Sequence, residues 1–273
     1  MRKIFFEKAT KPLLAATFVL MMSIAIHSRA EAQSMTEKTA PAKPSIVLVH
    51  GAWADGSSWS EVIPRLQKKG YEVLAAQLPR SSLADDVAAT ARTLARVKGP
   101  TILVGHSWGG VVITEAGNAE QVAGLVYVAS VQPEAGESLG DLLHLEQFAP
   151  PSGAKSLQPD ATGYFWLDPA GLKDAFAADL PADKVALITA TQGPLAGKTL
   201  GDKITTPAWK SKPSWSIIPR QDHSISPDLQ AWTAKRAKIE PVTVDSSHVV
   251  MLSHPDEVVR LIEKAIQAVT AKE

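Results

Sequence analysis

Between Thr101 and Gly110 the chain reads TILVGHSWGG, and this stretch decides the fold. Its first four residues form a mainly apolar run that is rich in β-branched side chains, which predicts a buried strand. The segment GHSWG follows at once and fits the pattern G-x-S-x-G, and the apolar residues after it predict a helix. A serine at such a sharp turn needs small neighbours, which Gly105 and Gly109 supply. We interpret Ser107 as a candidate nucleophile; the alternative is a glycine-rich connection without chemistry.

Strands and helices alternate on both sides of this stretch. Apolar runs predict further strands over Ser45–Val49, Tyr71–Ala76, Val122–Ala129, Ser214–Ile218 and Pro241–Val244. Helical spacing of apolar residues predicts helices over Trp59–Lys69, Leu83–Val97, Pro181–Gln192, Pro227–Ala237 and Val258–Val269. Because helices join successive strands, the order indicates an α/β fold with a mostly parallel sheet and helices on both faces.

The alternation breaks between about residues 131 and 212. Proline, glycine and aromatic residues are frequent there, and a segment of this length between two strands predicts an insertion that forms a small cap over the site. We expect Trp53, Trp166 and Trp209 to contribute to a substrate pocket. The alternative for the aromatic residues of this segment is a small core of the insertion itself.

Two further residues complete a candidate catalytic set with Ser107. A serine hydroxyl needs a base to take its proton, and the base needs an acid to orient it. Asp222 and His248 each follow a predicted strand, in the order Ser, Asp, His that this kind of fold uses. Asp222 has an alternative role as a helix cap or turn residue, and His248 as a surface histidine. His223 remains a rival base.

An oxyanion hole requires two backbone N–H groups that face the developing negative charge. Trp108 provides one as the residue after the candidate nucleophile. The second is expected from Ala52, because His50 and Gly51 end the first strand and the glycine lets the loop turn over the serine. The alternative is an ordinary turn at the end of a strand.

Composition excludes several classes of function. The chain has 273 residues, with 28 lysines and arginines against 28 aspartates and glutamates, so its charge gives no argument for binding nucleic acid. It contains no cysteine, which excludes thiol catalysis and disulfides. No histidine or acidic cluster has metal-ligand spacing and no phosphate-binding glycine motif occurs, so we expect no metal and no other cofactor. No sequence feature indicates an oligomeric state.

The first 32 residues have the layout of a secretory signal peptide. A positively charged start precedes the apolar run Leu13–Ile26, and Ala30-Glu31-Ala32 forms an A-x-A cleavage signal before Gln33. We therefore expect a signal peptide over 1–32, a flexible leader over 33–44 and the folded domain over 45–273. The mature protein would be periplasmic or secreted, without a stable membrane anchor. The alternative is a transmembrane anchor, but about 14 apolar residues fall short of the ~20 that a span needs.

Residues 45–273 resemble α/β-hydrolases, and more narrowly the branch that holds plant methylesterases and hydroxynitrile lyases. The stretches that carry the resemblance are VLVHGAW, GHSWGG, RQDHSISPDLQAW and DSSHVVMLSHPDEV. In hydroxynitrile lyases a threonine occupies the position of Gly51 and a lysine that of Val249. The resemblance therefore implies ester hydrolysis rather than cyanohydrin chemistry.

The expected activity is that of a serine hydrolase that cleaves a small carboxylic ester through an acyl-enzyme. The expected partner is that small-molecule ester. Acyl transfer, perhydrolysis or a lyase reaction on the same scaffold remain alternatives. A ligand-binding protein that keeps the fold without turnover is a further one.

Overall fold

The computed structural model describes residues 43–271. Its strands are β1 (Ser45–Val49), β2 (Val73–Ala76), β3 (Thr101–His106), β4 (Val122–Val128), β5 (Leu157–Pro159), β6 (Tyr164–Leu167), β7 (Leu195–Ala196), β8 (Ser214–Pro219) and β9 (Val242–Val244). Six of them form the central sheet in the order β2-β1-β3-β4-β8-β9, and every neighbouring pair in it is parallel. The carboxyl ends of these strands therefore lie at one edge, where ligands bind in open α/β sheets.

Helices connect the strands and cover the sheet. The α-helices are α1 (Val62–Lys68), α2 (Leu83–Leu94), α3 (Trp108–Ala116), α4 (Leu139–Leu143), α5 (Pro169–Gly171), α6 (Ala182–Thr191), α7 (Pro227–Arg236), α8 (Val250–Ser253) and α9 (Pro255–Thr270). Short 3-10 turns occur at Gly56–Trp59, Ser152–Ser156, Gly197–Gly201 and Ala208–Lys210, and a π turn at Leu172–Phe176.

Both faces of the sheet are buried, which explains its continuous apolar runs. Ile46 and Leu48 of β1 belong to the core shared with α1 and α9, whereas Val47 and Val49 belong to the core shared with α2 and α3. The α/β fold class predicted from the sequence is confirmed.

The helix predicted over Trp59–Lys69 is shorter than expected. A 3-10 turn ends at Trp59, and α1 begins only at Val62. The reason is Pro64: its ring and missing N–H are tolerated in the first turn of a helix, whereas a helix from Trp59 would put this residue in the interior. The following strand starts two residues late, because the N–H of Tyr71 donates to the carbonyl of Leu66 at the helix end.

The segment between β4 and β8 contains elements that the sequence did not predict. Strands β5, β6 and β7 form a separate antiparallel sheet. Helix α4 precedes this sheet in the chain, and α6 forms close to the predicted Pro181–Gln192.

The predicted signal peptide over 1–32 and the leader up to residue 42 lie outside the described residues. None of the helices found between residues 43 and 271 combines the length and apolar character needed to cross a membrane.

Candidate active site

Ser107 occupies the sharp turn between β3 and α3. Its backbone has φ +52° and ψ −121°, a region that L-residues rarely adopt and that is often found at functional sites. A Cβ on Gly105 would lie 2.4 Å from the carbonyl oxygen of Gly109, and one on Gly109 would lie 2.4 Å from that of Val49. Only glycine fits at either position, so the two glycines allow the strained turn to form.

Asp222 and His248 form a buried pair. Asp222 follows β8 and His248 follows β9, and the Nδ1–H of His248 donates to Oδ2 of Asp222 at 2.7 Å, with both side chains fully inaccessible to solvent. The Nε2 atom of His248 has no hydrogen-bond partner within residues 43–271, Ser107 included. Without a substrate, a catalytic Ser–His bond is often long or poorly aligned. The free Nε2 is the atom from which proton transfer with a serine would occur.

The His223 side chain is separated from this pair. It is exposed, and its Nδ1–H donates to the carbonyl oxygen of Asp174 at 3.2 Å. The structure therefore joins Asp222 to His248 and not to its chain neighbour. Among residues 43–271 there is also no group of three or more histidine or acidic side chains arranged to hold a metal ion.

Three side chains that the sequence did not assign to the site hold the loop of His248. The ring of Phe176 lies 5.1 Å from that of His248, centroid to centroid. His106, which occupies the variable position of the G-x-S-x-G pattern, donates from Nε2 to the carbonyl oxygen of His248 at 3.1 Å. The carboxylate of Asp179 accepts hydrogen bonds from the backbone N–H and the hydroxyl of Ser247. Phe176 and Asp179 come from the segment between β4 and β8, so this segment supports the histidine directly.

The loop that carries Ala52 lies directly against the turn of Ser107. A Cβ on Gly51 would be 2.9 Å from the Cβ of Ser107 and 2.9 Å from Nδ1 of His106, so the close approach requires glycine. Within residues 43–271, neither the backbone N–H of Ala52 nor that of Trp108 donates to another protein group. Both groups therefore remain available to an oxyanion.

His50 stabilises the loop that carries Ala52. Its Nδ1–H donates to the carbonyl oxygen of Gly51 at 2.8 Å, and its Nε2 accepts from the backbone N–H of Leu78 at 3.0 Å. Burial lowers the pKa of His50 to about 4, so the ring is neutral near pH 7 and its two nitrogens have different roles.

Trp108 is anchored by a buried carboxylate. Its indole N–H donates to Oδ2 of Asp86 at 2.7 Å, and the backbone N–H of Arg80 donates to Oδ1 at 2.7 Å. Burial raises the pKa of Asp86, although these two hydrogen bonds oppose the increase. Because Trp108 begins α3, this contact also holds the first turn of the helix that provides its N–H.

A small cavity is lined by Ser107 and by the two expected oxyanion residues, Ala52 and Trp108. Its lining is almost entirely apolar and comes from the loops that follow β1, β3 and β8 and from the segment between β4 and β8: Ala52, Trp53, Ser107, Trp108, Leu139, Leu143, Pro151, Gly153, Ala154, Leu157, Leu195, Leu200, Ser224 and Ile225.

Trp53 is the one of the three predicted pocket tryptophans that lines this cavity. Its indole N–H donates to the carbonyl oxygen of Phe165 at 2.9 Å. Trp166 and Trp209 are not among the residues that line the cavity. The indole N–H of Trp166 donates to Asp160 in the turn between β5 and β6. The indole N–H of Trp209 donates to the carbonyl oxygen of Pro133.

Comparison with known proteins agrees with this fold. The α/β hydrolase family matches residues 46–261, from the first strand into the last helix. The chain belongs to this family. Its members are therefore the appropriate comparison for the elements that carry Ser107, Asp222 and His248.

Individual relatives in this family are distant. The α/β hydrolase nvfD of Aspergillus novofumigatus is 25% identical over 245 residues, which cover 82% of this chain and 96% of that protein. The carbendazim hydrolyzing esterase of a Nocardioides species is 32% identical over 135 residues, which cover 44% of this chain and 52% of that protein. A solved pyrethroid hydrolase from Sphingobium faniae has a TM-score of 0.74 at 23% identity, covering 82% of this chain and 98% of its own. This last likeness shows the common fold.

Proposed function

We propose that this α/β hydrolase is a serine carboxylesterase. The observation that carries the proposal is the buried Asp222–His248 pair, whose 2.7 Å hydrogen bond leaves Nε2 without a partner, together with the strained turn that holds Ser107. An acid, a base and a nucleophile in this arrangement are what acyl transfer from an ester needs.

In the proposed reaction the hydroxyl of Ser107 attacks the ester carbonyl while Nε2 of His248 takes its proton. The negative oxygen of the tetrahedral intermediate accepts hydrogen bonds from the backbone N–H groups of Ala52 and Trp108. The imidazolium then gives the proton to the departing alcohol, and an acyl-enzyme remains. Water attacks this intermediate with His248 again as the base, which releases the acid and restores Ser107.

The cavity supports an uncharged, apolar ester as substrate. Its lining contains no charged side chain, so a carboxylate or ammonium group on the substrate would lose its hydration without a partner. Its apolar lining at Ser107 suits the hydrocarbon part of a small ester. The names of the carbendazim hydrolyzing esterase and the pyrethroid hydrolase agree with hydrolysis of this type.

Hydrolysis is favoured over the lyase alternative by the space around Gly51. The threonine found there in hydroxynitrile lyases requires a Cβ, and the contacts of 2.9 Å to Ser107 and His106 leave no room for one. Their lysine corresponds to Val249, which is buried and apolar. These two positions favour hydrolysis of an ester over cleavage of a cyanohydrin into a carbonyl compound and cyanide.

Export of the protein is a separate proposal that rests on the sequence layout of residues 1–32 alone. N-terminal sequencing of the protein from its native host tests it, with a start near Gln33 expected. A soluble product that retains Met1 would contradict export.

Ser107→Ala tests the proposed mechanism. The parent should hydrolyse p-nitrophenyl esters and react once with a fluorophosphonate, at Ser107. The variant should stay folded, fail to react, and lose about 10³-fold or more in turnover, because the members of a triad act as a unit. A folded variant with comparable turnover would refute the nucleophile. A parent that is neither labelled nor active on any ester would favour the ligand-binding alternative.

A further inference from the structure

Gln230 of α7 contacts the candidate catalytic acid. Its side chain is fully buried, and its Nε2 donates to Oδ2 of Asp222 at 2.8 Å and to the carbonyl oxygen of Ile225 at 2.9 Å. Both neighbours of Nε2 are acceptors, so the amide nitrogen must face them and the opposite orientation of the amide is excluded.

Four donors surround the Asp222 carboxylate. The backbone N–H groups of Ser224 and Ile225 bond Oδ1 at 2.8 and 3.0 Å. His248 and Gln230 both bond Oδ2, at 2.7 and 2.8 Å. The two backbone groups belong to the loop of Asp222 itself and restrain Oδ1. Gln230 belongs to α7 and restrains Oδ2, the oxygen that also accepts from His248.

The burial of the Gln230 side chain does not favour the stability of the folded state. Its Oε1 is buried and has no hydrogen-bond partner within residues 43–271. A buried acceptor without a partner destabilises the folded state, and an apolar side chain of similar size would avoid this cost. Such a group in a folded protein requires an explanation, and the contact of its other end with Asp222 supplies one.

We propose that Gln230 is a positioning residue, which aligns the Asp222 carboxylate and, through it, the ring of His248. This inference rests on the proposed function. Gln230 does not line the cavity, so it acts on the chemical step and not on binding of the ester. Its removal should lower kcat and leave KM nearly unchanged.

Gln230→Met tests this role, since methionine has a similar length and no donor. We expect kcat to fall about 10- to 100-fold, because small misplacements of a catalytic group have effects of this size, with KM within about twofold. Thr233→Val is the matched control: Thr233 is fully buried in the same helix and its hydroxyl bonds Gln132 and the backbone carbonyl of Gln230, but it does not contact Asp222. Its kcat should stay within about twofold of the parent.

A double-mutant cycle separates positioning through Asp222 from general loosening of α7. In an Asp222→Ala background, Gln230→Met should cause no further loss, because the group on which it acts is gone. Three results would each overturn the positioning role while the parent remains an active esterase. The losses of kcat in the double mutant could be additive, Thr233→Val could lose as much kcat as Gln230→Met, or Gln230→Met could keep the parental kcat. A parent that neither turns over esters nor reacts with a fluorophosphonate would refute the proposed function itself, and the positioning role with it.

Discussion

Acidification is expected to destabilise this protein through His50, a group that the proposed reaction does not use. His50 is fully buried at the end of β1, and its Nε2 must be unprotonated to accept the N–H of Leu78 at 3.0 Å. Burial lowers its pKa from 6.5 to about 4, so the folded state resists a proton that the unfolded chain takes up readily.

The sign and size of the effect follow from linkage. The contribution of His50 is fully present above pH 6.5 and is lost as the pH falls toward about 4, because only the unfolded state binds the proton in that interval. The two pKa values differ by about 2.5, which corresponds to about 3 kcal/mol of unfolding free energy. Burial and the neighbouring His248 hold the pKa of His106 well below its ordinary value as well, so the full protein should lose more than this.

Urea unfolding of the parent and of His50→Gln between pH 7.5 and 4.5 measures the effect. Glutamine keeps an acceptor for Leu78 but does not titrate, so the parental curve should be steeper by up to about 1.4 kcal/mol per pH unit below pH 6. His223→Gln, at an exposed position, is the matched control for the exchange of a histidine for glutamine. Parallel pH profiles for the parent and His50→Gln would refute the assigned burial and pairing.

Four further substitutions test residues in and around the site. Gly51→Ala should lower kcat about tenfold or more without unfolding the protein, because its Cβ would meet two side chains at 2.9 Å and displace an oxyanion donor. Steady-state kinetics measures kcat and circular dichroism checks the fold; a parental kcat would contradict the prediction. Asp86→Leu should cost about 1–3 kcal/mol in urea unfolding, because the indole N–H of Trp108 is left buried without an acceptor; a change within 0.5 kcal/mol would count against the contact. His248→Ala should lose ~10³-fold or more in ester turnover and His223→Ala less than about threefold. The reverse ranking would assign the role of base to His223.

The central sheet was predictable because burial on both faces leaves a simple signal. The run Ser45–Val49 is apolar at every position after the first, and the observed strand has the predicted bounds. The strand of TILVGHSWGG extends to His106, two residues beyond its apolar part, because pairing with β4 continues through Gly105. Periodicity records which residues are buried, but not how far a ladder of hydrogen bonds extends.

The segment between β4 and β8 was less predictable because its contacts are distant in the chain. In the hairpin sheet, Phe165 pairs with Leu195 across 30 residues, and β7 has only two residues. A strand of that length carries no pattern of its own. The tryptophans show the same limit: the sequence does not reveal that the indole N–H of Trp166 donates to Asp160 or that the indole N–H of Trp209 donates to the carbonyl oxygen of Pro133.

The order and loop positions of Ser107, Asp222 and His248 followed from the sequence, since parallel strands bring their carboxyl ends to one edge. The groups that restrain them did not. Gln230 is one polar residue among several in α7, and nothing in its spacing distinguishes a buried donor from a solvated amide. Phe176 could be recognised as aromatic, but not as a neighbour of the His248 ring.

Hydrogen-bonding capacity is distributed unevenly across the site, and this distribution suits the proposed reaction. At one end, the Asp222 carboxylate accepts four hydrogen bonds. At the other end, within residues 43–271, the Nε2 of His248 and the backbone N–H groups of Ala52 and Trp108 have no partner. A group that is already fully bonded does not reorganise during the reaction, whereas unpaired groups gain their partners only when charge develops on the substrate. Interactions made in the transition state and absent before it are the ones that accelerate a reaction, so the unpaired end marks where the substrate carbonyl should react.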